Sequence, residues 1–176
     1  MMRRVVMVAM VVAAVGCGQG PTPDETTPPP SSGGLDPNSI MPPPMGANGQ
    51  CNDLAAAGGL VTDQLGTAAP ALNGGALADG RYVLTRYEWY SPNQLHTRSI
   101  TLLVSGGGKY GQYLWTRDQE PEERNTVNIA TSASQIAMRG ICPVGSDLEW
   151  DRYGMTDSGM TLFSSRDNKA AFFSRQ

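Results

Sequence analysis

From Gly80 onward the sequence repeats with a period of two, and no other feature limits its fold as much. Val83, Thr85, Tyr87 and Trp89 alternate with Leu84, Arg86 and Glu88, and Ile100, Leu102 and Val104 recur at every second residue. Successive side chains of an extended chain point to opposite faces, so this pattern reads as half-buried β-strands. Eight segments qualify: 81–90, 98–105, 109–116, 125–131, 135–142, 148–156, 160–165 and 169–175. Turn-forming residues separate them, including Ser91-Pro92-Asn93, Gly106-Gly107-Gly108, Pro143-Val144-Gly145, Asp157-Ser158-Gly159 and Arg166-Asp167-Asn168. These connections are too short for a parallel crossover, which makes the neighbours antiparallel. A meander of eight strands without helices hides its edges by closing on itself. The expected fold is therefore all-β, an eight-stranded antiparallel up-and-down barrel over residues 80–176. Leu162 and Phe172 oppose Phe163 and Phe173, so the last two strands present apolar groups on both faces, one of which needs a cover.

Upstream the composition changes. All 12 aromatic residues lie between Tyr82 and Phe173, whereas nine of the 13 prolines lie between residues 18 and 50. A stretch with Pro28-Pro29-Pro30, Pro42-Pro43-Pro44 and Ser31-Ser32-Gly33-Gly34 buries too little to fold, and residues 17–50 are expected to form a disordered linker. Residues 51–79 are expected to form an irregular N-terminal part of the domain. Within it, Asn52 caps one helical turn over residues 53–57, and the Gly- and Ala-rich residues 60–79 pack as coil on a barrel end.

Met1-Met2-Arg3-Arg4 followed by eleven Val, Met and Ala residues has the layout of a secretory signal, and the run is too short to span a bilayer comfortably. Its end, Ala14-Val15-Gly16-Cys17, resembles the bacterial lipobox. That resemblance implies a signal peptide over residues 1–16, a diacylglyceryl group on Cys17 and, because Gly18 rather than Asp follows, residence in the outer membrane of the cell envelope. The alternative is a plain cleavable signal with Cys17 incidental. Without Arg3 and Arg4 the chain has 11 basic and 16 acidic residues and a charge of −5, which argues against nucleic acid as a partner. Attachment to a membrane then falls to the lipid, since no basic run exists. Cys51 and Cys142 remain, and an exported chain crosses an oxidising compartment, so a disulfide between them is expected.

Gly80-Arg81-Tyr82 at the start of the first strand, Arg175 in the last, and Thr156-Asp157 between the sixth and seventh resemble the calycin, or lipocalin-like, barrels. Those families carry Gly-x-Trp, a basic residue packed on that aromatic, and Thr-Asp-Tyr at these places. Here Tyr82 replaces the Trp and Ser158 the Tyr. The resemblance implies a barrel able to hold an apolar ligand. Envelope lipoproteins of similar build that inhibit lysozyme or proteases look equally similar.

No catalytic constellation emerges. His96 is the one histidine, no Gly-x-Ser-x-Gly elbow is present, and Ser105-Gly106-Gly107-Gly108-Lys109 lacks the first glycine of a phosphate loop because Leu103 stands there. No cofactor is implied, and no His/Cys cluster suits zinc. Asp118, Glu120, Glu122 and Glu123 crowd one loop, but Arg117, Arg124 and Pro121 favour a solvated, self-neutralised loop over a calcium site. The expectation is a non-enzymatic binding protein. Tyr82, Trp89, Trp115 and Trp150 are the candidate ligand-binding residues if the barrel is hollow. If it is filled, an outer surface or the acidic loop engages an envelope or extracellular protein, or the role is structural.

Overall fold

The computed structural model describes residues 45–176. The expected signal peptide, Cys17 and most of the expected linker lie outside the described residues. The chain forms a ten-stranded sheet. Eight strands make the barrel: β3 (Gly80–Trp89), β4 (Thr97–Ser105), β5 (Tyr110–Arg117), β6 (Glu123–Ser132), β7 (Gln135–Cys142), β8 (Arg152–Thr156), β9 (Gly159–Ser164) and β10 (Lys169–Arg175). Each pairs antiparallel with the next, and β10 returns to β3, so the expected up-and-down barrel is closed. Two short strands, β1 (Val61–Thr62) and β2 (Gln64–Leu65), belong to the segment that precedes it.

The alternation in β3 is not the uninterrupted one that the sequence suggests. Opposite β10, the register slips between Phe172 and Phe173: Phe172 faces Arg86 and Phe173 faces Leu84. Thr85 is the extra residue of this β-bulge, and its hydroxyl donates to the Phe172 carbonyl at 3.0 Å. The bulge shifts the phase, so Tyr82 and Leu84 join Tyr87 in the core, and Val83 lies outside against Gly58. Ile100, Leu102 and Val104 share the interior as the pattern implies.

One barrel end is shut. Residues 72–79 cross it: Gly74 bridges Gly154, the Tyr153 hydroxyl donates to the Gly75 carbonyl at 2.6 Å, and Leu77 joins the core. Asp79 accepts hydrogen bonds from the Gly107 and Gly108 amides of the β4–β5 turn. Tyr82 is fully buried here, its hydroxyl donates to the Ala78 carbonyl at 2.7 Å, and Arg175 stands opposite it in register. The interior above this floor is packed with Leu102, Val104, Val127, Ile129, Met138 and Met160.

The segment before Gly80 is more than coil on a barrel end. No helical turn forms at residues 53–57. Asn52 is instead completely buried, and its amide donates to the Asn125 carbonyl while its own oxygen accepts from Leu54 N–H. The strap continues over the outer wall, where the Thr126 hydroxyl donates to Cys51 O and Thr101 exchanges hydrogen bonds with Ala57. Cys51 and Cys142 form the disulfide that fastens its start, with Cα atoms 5.2 Å apart. Direct β3–β4 pairing stops at Val83 and Thr101. Beyond that point β1 pairs with β4 and β2 runs parallel to β3, so residues 61–65 close the gap between the two diverging strands.

Candidate functional site

In an up-and-down barrel alternate loops lie at the same end. The loops after β3, β5, β7 and β9 therefore surround the end opposite the floor, and there the barrel opens into a cavity of about 660 Å3. Pockets of about 300–1,000 Å3 suit small molecules. Its deep wall comprises Tyr87, Ile100, Tyr113, Trp150 and the two cations Arg98 and Lys169, all buried. Trp89 and Trp115 stand higher and are partly exposed. Of the four aromatics singled out from sequence, Trp89, Trp115 and Trp150 thus meet at one cavity. Tyr82 lies in the packed floor and does not line it.

Trp150 reaches the cavity because the strand expected from residue 148 begins only at Arg152. Between β7 and β8 the ladder consists of Gln135 opposite Arg152, with one further bridge from Met138 to Leu148. Freed from the ladder, Trp150 turns inward and is buried, while Asp147 and Glu149 stay exposed. The Trp150 ring packs edge-on against Tyr87, with centroids 6.2 Å apart, and Tyr87 lies 5.8 Å from Trp89.

The cations are tied to these rings and to carboxylates. Arg98 lies over the Tyr87 face, 3.8 Å from its centroid, and its Nε and Nη2 donate to the two oxygens of Asp63 at 2.6 and 2.5 Å. Asp63 is 2% exposed and also accepts from the Trp89 indole N–H at 2.9 Å. It is the middle residue of the 61–65 insert, so the ion pair fastens that insert from inside. Lys169 Nζ sits 5.2 Å from the Trp89 centroid and 5.6 Å from that of Trp150, paired with Glu149 and Asp167. Burial pushes the Tyr87 and Tyr113 phenols well above their ordinary range, so both remain neutral hydroxyls at physiological pH.

The sequence reading missed Arg98, Lys169 and Asp63. A signal was present, since Arg98 and Lys169 stand at the mouth-side ends of strands where apolar residues dominate, and a charge on an inward face implies a buried partner. Nothing in the sequence named Asp63 as that partner.

The acidic loop resolves into separate pairs. Asp118 accepts from Thr97 N–H at 2.9 Å and meets His96 Nδ1 at 2.7 Å, and these contacts hold its carboxyl below the usual range. Glu120 pairs with Arg117, Glu122 with Arg124, and Glu123 accepts from the Trp115 indole N–H. Among the described residues no three His, Cys, Asp or Glu side chains converge as metal ligands. The His96–Asp118 contact joins the β3–β4 and β5–β6 loops at the rim.

Compared with known proteins, the chain matches no family model, no curated sequence and no solved structure. The closed eight-stranded architecture is compatible with a lipocalin-like fold on its geometry alone.

Proposed function

We propose that this chain is an exported envelope lipoprotein whose lipocalin-like barrel binds a small ligand, without catalysis, in its open end. The observation that carries the reading is the cavity of about 660 Å3 above a filled lower barrel, with Trp89, Trp115 and Trp150 around it. These rings supply apolar contact, and the packed floor limits the ligand to a compact body in place of a long chain. The Cys51–Cys142 disulfide supports export through an oxidising compartment. Anchorage at Cys17 and placement in the outer membrane rest on the lipobox resemblance and Gly18.

Native mass spectrometry of the protein purified from its own membranes tests the reading. The expected spectrum contains a retained small molecule released on unfolding, and a diacylglyceryl adduct that disappears in Cys17→Ser. A ligand-free protein recovered with a stoichiometric protein partner would overturn it. One observation favours that second reading: Leu65, Leu95 and Val144, on three different segments at the open end, are 61%, 46% and 91% exposed. Such exposed apolar groups suit a protein that caps the mouth.

A further inference from the structure

We infer that the cavity is built for a saccharide without anionic groups, a conclusion that rests on the binding reading above. The first support is Asn125 on β6, which lines the cavity and is 7% exposed. Its backbone carbonyl accepts from Asn52, whereas its side-chain amide finds no hydrogen-bond partner among the described residues. That amide is not sealed from the cavity, so it can offer a ligand a donor and an acceptor side by side. Adjacent hydroxyls of a sugar ring match that pair, and an acyl chain does not.

The aromatic rings point the same way. The Trp89 and Trp115 indole N–H groups are already given to Asp63 and Glu123, which holds each ring by its edge. Lys169 lies over Trp89 and Arg117 over Trp115, at 5.2 and 5.9 Å from the ring centroids, so what remains for a ligand is the ring face that these cations leave uncovered. A π face is the negative side of the ring quadrupole and attracts the weakly positive C–H face of a pyranose.

Charge decides between sugar classes. Arg98, Arg117, Arg166 and Lys169 on the wall are each bound to at least one carboxylate of the protein. Glu123 and Asp147, also on the wall, have no cationic partner among the described residues, and Asp147 accepts only from Gly140 N–H. Counting their partners Asp63, Glu120, Glu149 and Asp167 as well, six carboxylates stand against these four cations, so a carboxylate or phosphate on the ligand would meet net negative surroundings. Hydroxyl groups can instead donate to Glu123 and Asp147. They can also accept from Lys169, whose third ammonium proton remains after Glu149 and Asp167 take one each.

The test is titration of the purified full chain by tryptophan fluorescence with maltotriose, N-acetylchitotriose, trigalacturonate and sodium dodecanoate. At least one neutral trisaccharide is expected to saturate, and trigalacturonate to bind about tenfold weaker or less. Trp115→Ala and Asn125→Leu should each weaken the neutral sugar by about tenfold at an unchanged melting temperature, with Trp115→Phe recovering most of the loss. Should either variant melt early, calorimetric titration of wild-type protein with the same four probes still decides the question. Trigalacturonate binding as tightly as the neutral sugars would overturn the charge argument. Dodecanoate binding with both neutral sugars silent would overturn the saccharide class and leave the binding reading standing. Silence to all four would overturn both.

Discussion

Replacing Asp63 with Asn should loosen the wall between β3 and β4 more than any other single change of similar size. The side chains of Asp63 and Arg98 are 0% and 7% exposed, and the carboxylate receives two guanidinium hydrogen bonds and the Trp89 N–H. Removing the negative charge leaves a guanidinium buried against Tyr87 without a counter-ion, and breaking a buried pair in this way costs about 3–5 kcal/mol. Asn keeps one acceptor oxygen, which places the expectation at the low end, about 3 kcal/mol. With a urea m-value of about 1.5 kcal/mol per M, the unfolding midpoint should fall by about 2 M. Arg98→Met alone should be similarly damaging because it strands the carboxylate, whereas Asp63→Leu with Arg98→Met should recover most of the loss. Tryptophan emission should also shift in Asp63→Asn, since Trp89 loses a charged acceptor. A midpoint within about 0.3 M of wild type would refute the claim that this pair is what fastens the 61–65 insert.

Three further outcomes are expected. Reducing the Cys51–Cys142 bridge, which spans a separation of 91 residues, should lower stability by about 4–5 kcal/mol by the loop-closure argument, read as a urea midpoint with and without reductant. Gly74→Ala should cost about 2 kcal/mol or more, because Gly74 sits at φ +65° and a Cβ would come 1.8 Å from the Ala133 carbonyl oxygen; a thermal melt equal to wild type would contradict this. Hydrogen bonds from the Gly107 and Gly108 amides hold the Asp79 carboxyl below its ordinary range, so the unfolded chain binds the proton more tightly. Its stabilising contribution is present above about pH 4 and is lost as pH falls below that toward the depressed folded value. Asp79→Asn should therefore flatten the acid limb of a stability–pH curve.

The barrel was legible in the sequence because its cause is local. A two-residue period writes itself into every strand, and short turns dictate antiparallel neighbours, so strand count and meander follow from residues 80–176 alone. The disulfide was legible for a different reason, since only Cys51 and Cys142 remained once Cys17 was assigned to lipid. The phase of β3 was not legible, because the bulge at Thr85 arises from how β10 sits against it, and that register belongs to residues more than 80 positions away. Trp150 was named from its type, but what carries it inward is the early end of the β7–β8 ladder. Nothing local marks Asp63, 35 residues from Arg98 in a Gly- and Ala-rich stretch, as its partner. A buried charge announces that a partner exists, and only the closed barrel, by leaving one gap between β3 and β4, determines which residue of the strap fills it.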